Sequence, residues 1–281
     1  MDIINKVEKT LIKASTRYSK DRAKALIKAY HNETNEDAKW ALELMVKNME
    51  IARKDKVPLC DDTGVPHILI EIGDNVKSIP NKLFEDIKEG VAIGLKNLPG
   101  RPMAVKGNNI ERIEQSKGLY SNSESLKAAP FLIDTYNGDK IKIHILLLGG
   151  GPEIRAKTNK VFHKRDYNNI LRVAFNHLKD NLNLLGCTPS IPSIGIGRTH
   201  FEATALMLKG MAYGNLDNQS DLEKNFTKRL NQLQIGTMGF GGDTTALGSF
   251  INIGPQRASG VRLLAIRPCC FVEPRVASFE F

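Results

Sequence analysis

The sequence predicts an α/β fold in which a helical N-terminal region is followed by mixed sheets flanked by helices, with residues 1–281 forming a single domain. Three observations carry this expectation. Apolar residues recur at helical spacing through residues 2–53, short runs rich in Ile, Val and Leu alternate with later helical segments, and no internal repeat or low-complexity linker divides the chain. A composition of 41% hydrophobic and 25% charged residues is that of a globular protein able to bury a sizeable core.

Ile3, Ile4, Val7, Leu11 and Ile12 share one helical face, and Ala23, Leu26, Ile27 and Tyr30 repeat the pattern. A third helix begins near Asn35, a good N-cap residue, with Glu36 and Asp37 in its positive first turn. It runs to Arg53, and its apolar stripe, including the lone Trp40, is assigned to the core. Pro58 ends the helical pattern and opens the loop 58–64, PLCDDTG. Residues 67–72 read as a strand closed by Gly73 and Asp74, and 81–95 as a helix that stops before the Pro99-Gly100 breaker. The polar, weakly periodic stretch 101–127 reads as a long functional or partner-facing loop. Strands follow at 131–136 and 140–148, and Asn137-Gly138 between them predicts a hairpin. The second of these strands leads directly into Gly149-Gly150-Gly151. Helices at 167–182 and 201–212, a charged helical stretch at 217–229, a glycine-rich loop at 236–245 and a strand at 261–266 complete the pass.

Charge and composition narrow the partners. The net charge of +9 is spread along the chain and aromatic residues make up only 6%, whereas a nucleic-acid binder gathers its positive charge and interleaves aromatics. Nucleic acid is therefore not the expected partner; an anionic small substrate or an acidic subunit accounts for the charge. No apolar run reaches the about 18 residues of a membrane span, and MDIINKVEKT carries no apolar signal core. The chain reads as cytoplasmic, without membrane association.

Four cysteines, at 60, 187, 269 and 270, form no CxxC pair, which argues against zinc ribbons and thioredoxin-like motifs. Disulfides are not expected in a reducing compartment, and vicinal Cys269 and Cys270 would bridge only with strain. Three loops carry them: 58–64, the Pro-Cys-Cys at 268–270, and 186–197, GCTPSIPSIGIG, whose prolines and glycines can neither continue a helix nor pack as an ordinary strand. One thiolate per loop is what a [4Fe-4S] cluster with one open iron requires, the open iron acting as a Lewis acid; buried inert thiols are the plainer alternative. Asp61 and Asp62 follow Cys60 at once, as acid and base groups beside a cluster or simply as turn formers. The glycines at 149–151 and 236–242 offer backbone N–H groups to carboxylates, or tight turns; neither stretch is a phosphate-binding motif.

Taken together, these stretches resemble one family. Asn48-Met49-Glu50-Ile51-Ala52-Arg53 leading into Pro58-Leu59-Cys60-Asp61-Asp62-Thr63-Gly64, the triple glycine after a strand, Cys187-Thr188-Pro189 leading to Gly195-Ile196-Gly197, and Asn231-Gln232-Leu233-Gln234-Ile235-Gly236 leading to Gly241-Gly242 and Thr244-Thr245 are similar in order and spacing to class I fumarate hydratases and L-tartrate dehydratases. The similarity is to their alpha subunit, or N-terminal half. The resemblance implies a hydro-lyase whose [4Fe-4S] cluster is held by Cys60, Cys187 and Cys270, with Cys270 preferred to Cys269 on alignment of the preceding apolar strand and the following Arg275. It implies Asp62 as the catalytic aspartate, Arg101 as the partner of a substrate carboxylate through its guanidinium fork, and Asp61 and Gly150 as substrate-facing positions. It further implies a small dicarboxylate substrate, fumarate hydrated to malate first of all, and a separate beta subunit in a heterodimer or heterotetramer. Tartrate or another hydroxy acid is the alternative substrate, and a non-catalytic paralogue that keeps the fold is the alternative outside enzymes. The chain departs from the family pattern with Asp61 for Gln, Leu148 for Lys, Pro152-Glu153-Ile154 for Ser-Glu-Asn, Arg198 for Gly, and Gln256-Arg257-Ala258-Ser259 where a histidine is expected. These departures touch the substrate pocket more than the cluster ligands.

Overall fold

A computed structural model describes residues 2–281. In chain order its elements are α1 (Ile3–Thr16), α2 (Lys20–Asn32), α3 (Glu36–Asp55), β1 (Val65–Gly73), α4 (Leu83–Asn97), α5 (Asn109–Glu114), β2 (Leu132–Tyr136), β3 (Ile141–Leu148), α6 (Gly150–Glu153), β4 (Lys157–Phe162), α7 (Tyr167–Leu185), β5 (Ser193–Gly197), α8 (His200–Tyr213), α9 (Asp221–Asn231), β6 (Phe250–Ile253), β7 (Val261–Arg267) and β8 (Arg275–Glu280). The fold class is α/β, with two mixed four-stranded sheets. The chain divides into two compact units, each assembled from stretches far apart in sequence.

The first unit comprises the residues through Arg17 together with Glu50–Gly149 and Arg275–Phe281. Its sheet runs β2-β1-β3-β8, with β1 parallel to β2 and antiparallel to β3. Ile68 and Ile70 of β1, Ile143, Ile145 and Leu147 of β3, and Ala277 of β8 share a core with Val7 and Leu11 of α1 and Ile87, Val91 and Leu95 of α4. Each such aliphatic side chain contributes roughly 1.5–3 kcal/mol on full burial. The two helices close on each other because Gly90 lacks a side chain: a Cβ there would stand 2.7 Å from Ile4 O and Val7 Cβ.

Two expectations change in this unit. The hairpin at Asn137-Gly138 does not form, because β1 lies between β2 and β3. The turn instead arches over the end of β1 and binds it, with Gly73 N–H donating to Lys140 O, Asp74 N–H to Tyr136 O and Asn75 N–H to Gly138 O, each at 2.9 Å. Gly73 permits the crossing, since a Cβ there would fall 2.5 Å from Gly138 O. The stretch 101–127 is more ordered than a loop. Val105 bridges Leu119, and α5 starts on a reciprocal capping box between Asn108 and Glu111. Too few apolar residues lie there for a helical period to show in the sequence.

The second unit comprises Tyr18–Met49 and Gly150–Pro274. Its sheet runs β4-β7-β5-β6, with β5 parallel to β6 and antiparallel to β7. The expectation that 186–197 forms no ordinary strand holds only for its first half. Ser193–Gly197 is a fully buried interior strand, and its glycines are there for α8: a Cβ on Gly195 would lie 1.9 Å from Ala203 O. Trp40 is not in the core. It is 57% exposed, and the buried face of α3 in this unit is instead Ala38, Ala41, Leu42, Met45 and Met49. Among the described residues, no helix is long and apolar enough to cross a membrane.

Candidate active site

In the first unit, Cys60, Asp61 and Asp62 lie on the connection from α3 to β1, which begins where Lys56 adopts a left-handed conformation and stops the helix. The connection is tied down on both sides of the cysteine. Leu59 is buried and its N–H donates to Ser15 O at 3.0 Å, while buried Thr63 accepts the Arg101 N–H on Oγ1 at 2.9 Å. Asp62 Oδ1 accepts the Gly64 N–H at 3.1 Å, a turn that orients its carboxyl. Arg275, 2% exposed, donates to Asp62 O at 2.6 Å and to Leu147 O at 3.1 Å, so a guanidinium buried beneath the turn fixes its backbone. Gly64 is required here, with φ at +79° and a would-be Cβ 2.6 Å from that guanidinium.

These ties leave Cys60 half-buried at a pocket of about 380 Å³ lined by Pro58, Cys60, Asp61, Thr63, Pro99 and Arg101. Arg101 and Asp61 face each other across it at 2.9 Å, both well exposed. An exposed pair of this kind is worth little, because water and salt screen it. The guanidinium is therefore held loosely and can exchange its carboxylate.

In the second unit, Cys187 follows Gly186, the left-handed cap of α7, and is half-buried. Phe271 N–H donates to Cys187 O at 3.0 Å, which brings the Cys187 loop against the turn carrying Cys269 and Cys270. Buried Thr188 joins the same loop to the glycine-rich stretch, its Oγ1 donating to Gly236 O at 2.6 Å and its backbone carbonyl accepting Met238 N–H at 3.1 Å. That stretch is held in turn by Glu33, 2% exposed, whose carboxylate accepts the N–H groups of Thr34, Asn35, Asp243 and Thr244 at 2.9–3.2 Å. The two vicinal cysteines differ. Cys269 is fully buried in a left-handed backbone conformation with its S–H 3.6 Å from Met211 Sδ, and burial, with Glu273 adding to it, pushes its thiol well above the usual range. Cys270 retains 8% exposure. Gly150 is exposed and opens α6.

The positions picked out from sequence thus fall into two groups. Cys60, Asp61, Asp62 and Arg101 belong to the first unit, and Cys187, Cys270 and Gly150 to the second. Among the described residues, no three His, Cys, Asp or Glu side chains gather to hold a single metal ion. Arg198, where the resembled family carries glycine, is engaged by Glu202 in the first turn of α8, which follows it. Its Nε donates to both Glu202 carboxylate oxygens at 3.0 Å, and its side-chain and backbone bonds hold the Glu202 carboxyl below the ordinary range. Sequence reasoning missed Thr63, Thr188 and Glu33. Thr63 and Thr188 stand inside the cysteine motifs, but their bonds to Arg101 and Gly236, like those of Glu33 to Asp243 and Thr244, reach remote segments that no local pattern announces.

Comparison with known proteins supplies the frame for this geometry. The family model described as Fumarate hydratase (Fumerase) matches residues 4–280. A protein of Methanocaldococcus jannaschii, provisionally named L(+)-tartrate dehydratase subunit alpha, is 32% identical over 90% of this chain and 89% of its own length. A protein of Geobacillus stearothermophilus provisionally named fumarate hydratase class I is 27% identical over 85% of this chain, which spans 47% of that longer protein. The L(+)-tartrate dehydratase subunit alpha of Escherichia coli is 22% identical over 93% of this chain and 85% of its own length.

Proposed function

The chain belongs to the fumarate hydratase family of hydro-lyases, and from that membership we propose that it is the alpha subunit of a [4Fe-4S] enzyme that adds or removes water across a small dicarboxylic acid, fumarate to malate being the leading reaction. The observation that carries this reading is the pocket in which Cys60, a loosely paired Arg101 and Asp61 stand together: a soft metal ligand beside a carboxylate-binding fork.

The donor set fits the cluster. Each thiolate of such a cluster binds a separate iron, so three cysteines on three loops suit it although they form no single-ion site. We assign the ligands as Cys60, Cys187 and Cys270. Cys269 is the poorer candidate, since it is fully buried with its sulfur against Met211 Sδ while Cys270 retains some exposure. Held by these residues, such a cluster would supply a Lewis acid able to polarise a carbon–oxygen bond.

This chain's own residues do the rest of its share. Hydration puts a hydroxyl on one olefinic carbon and a proton on its neighbour, and Asp62, its carboxyl oriented by Gly64 and its backbone by Arg275, is the group to which we assign that proton. Arg101 leaves Asp61 for a substrate carboxylate, and the backbone at Gly150 faces the substrate. In Arg101→Lys, KM therefore rises roughly tenfold, the worth of one charge-assisted hydrogen bond, with kcat changed less. Asp61→Gln removes the competitor and lowers KM. Steady-state kinetics at two salt concentrations checks both, and an Asp61→Gln enzyme with raised KM contradicts the exchange.

Two relatives named as alpha subunits support a separate beta subunit, in a heterodimer or heterotetramer that works in the reducing cytoplasm. The same names favour a second reading in which the cluster stays and the substrate is tartrate. Anaerobic co-purification with the beta subunit, followed by iron and sulfide analysis and assays on fumarate, mesaconate and tartrate, tests the whole proposal. The expected result is roughly four irons per chain and turnover of one of the three acids. A chain that takes up no iron on reconstitution overturns it.

A further inference from the structure

Arg267 and Glu273 stand at the two ends of the turn 268–272 that carries Cys269 and Cys270, and both are sealed from solvent, at 1% and 0% exposure. The arginine grips the glutamate with two arms. Nε donates to Oε2 at 2.9 Å and one terminal nitrogen donates to Oε1 at 3.0 Å. The other terminal nitrogen donates to Glu153, the residue that ends the single turn of α6 opened by Gly150. One guanidinium thus closes the neck of the cysteine turn and holds the glycine turn as well. Further bonds finish the clasp: Glu273 N–H donates to Cys270 O at 3.0 Å, Ser190 Oγ to Pro268 O, and buried Arg22 to Pro274 O.

Stability alone does not call for this arrangement. Desolvating the Glu273 carboxylate and the Arg267 guanidinium is costly, and apolar residues of similar volume commonly serve a fold as well or better. What ions add is direction, because a bidentate fork admits one geometry. We infer that Arg267 is a positioning residue: through Glu273 it sets where the Cys270 sulfur stands, and through Glu153 it ties that sulfur to the backbone at Gly150, so that a cluster ligand and the substrate-facing turn keep one register. The inference rests on the cluster reading above.

The test is the paired variant Arg267→Met/Glu273→Leu, which removes the ions without stranding either. It is produced as the full chain with the beta subunit and reconstituted anaerobically beside wild type. The apoprotein is expected to unfold at or above the wild-type temperature, while iron retained after desalting falls about 10-fold or more, as on loss of a second-layer partner at other metal sites. The electron paramagnetic resonance spectrum of the oxidised cluster changes with it. Arg267→Lys, which keeps the charge and loses the fork, gives the same two changes and serves if the paired variant is insoluble. Glu153→Gln, altered only at a side chain 62% exposed, retains iron and shows a KM raised about threefold, the fraction of a hydrogen bond this link contributes. Wild-type iron content and an identical spectrum in Arg267→Lys or the paired variant overturn the inference while leaving the cluster reading intact. A wild-type chain that takes up no iron overturns both.

Discussion

Serine at Cys60, Cys187 or Cys270 abolishes iron–sulfur binding, whereas Cys269→Ser leaves it in place. Serine is nearly the size of cysteine but offers a hard oxygen that stays protonated where a soft thiolate is needed. With three ligands rather than four there is no redundancy, so each loss exceeds the roughly 10–100-fold that removal of a mere outer partner costs a metal site. Cys269 differs from its neighbour in environment, not in chemistry. Its sulfur is buried against Met211, while Cys270 keeps a little exposure on the turn bonded to Cys187 O. Iron and acid-labile sulfide per chain, with visible absorbance after anaerobic reconstitution, give the comparison. A cluster retained in Cys270→Ser and lost in Cys269→Ser exchanges the two assignments, and one retained in Cys60→Ser removes the first unit from the ligand set.

Asp62→Asn lowers kcat by about 10²–10⁴, the usual worth of a positioned general acid or base, with little change in KM or iron content. The amide keeps the size of the carboxylate and still presents an oxygen to the Gly64 N–H at the 3.1 Å position, so the turn survives. What it cannot do is carry a proton. A melting temperature and iron content equal to wild type, measured on the same preparation, separate this from a structural effect. A variant within about threefold of wild-type kcat would move the proton to another group, far outside what loss of a general base allows.

The helices were largely legible because their apolar periods are local, and β1, β3 and β7 because their runs of Ile, Val and Leu are long. β4, β5, β6 and β8 were not. Ser193–Gly197 contains two glycines and a serine, and only the approach of α8 explains that composition. The Asn137-Gly138 turn misled for a similar reason, since no local signal announces that a third strand enters between two others. Trp40 misled because its helix buries a neighbouring stripe of small residues. In the candidate site, the Cys60-Asp61-Asp62 run was visible as a motif and Arg101 only through resemblance. Arg267, Glu273, Glu153 and Arg275 were invisible as a group, because a buried ion pair is written in the same letters as a solvated surface.

The bond from Arg275 to Asp62 has a consequence in time. Its two ends lie 213 residues apart, on a strand that completes a sheet otherwise built from residues before Gly149. Contacts of such separation form late, after the loop-closure entropy has been met by other interactions. On a growing polypeptide, the turn beside Cys60 therefore waits for β8 to leave the ribosome before its carbonyl is held.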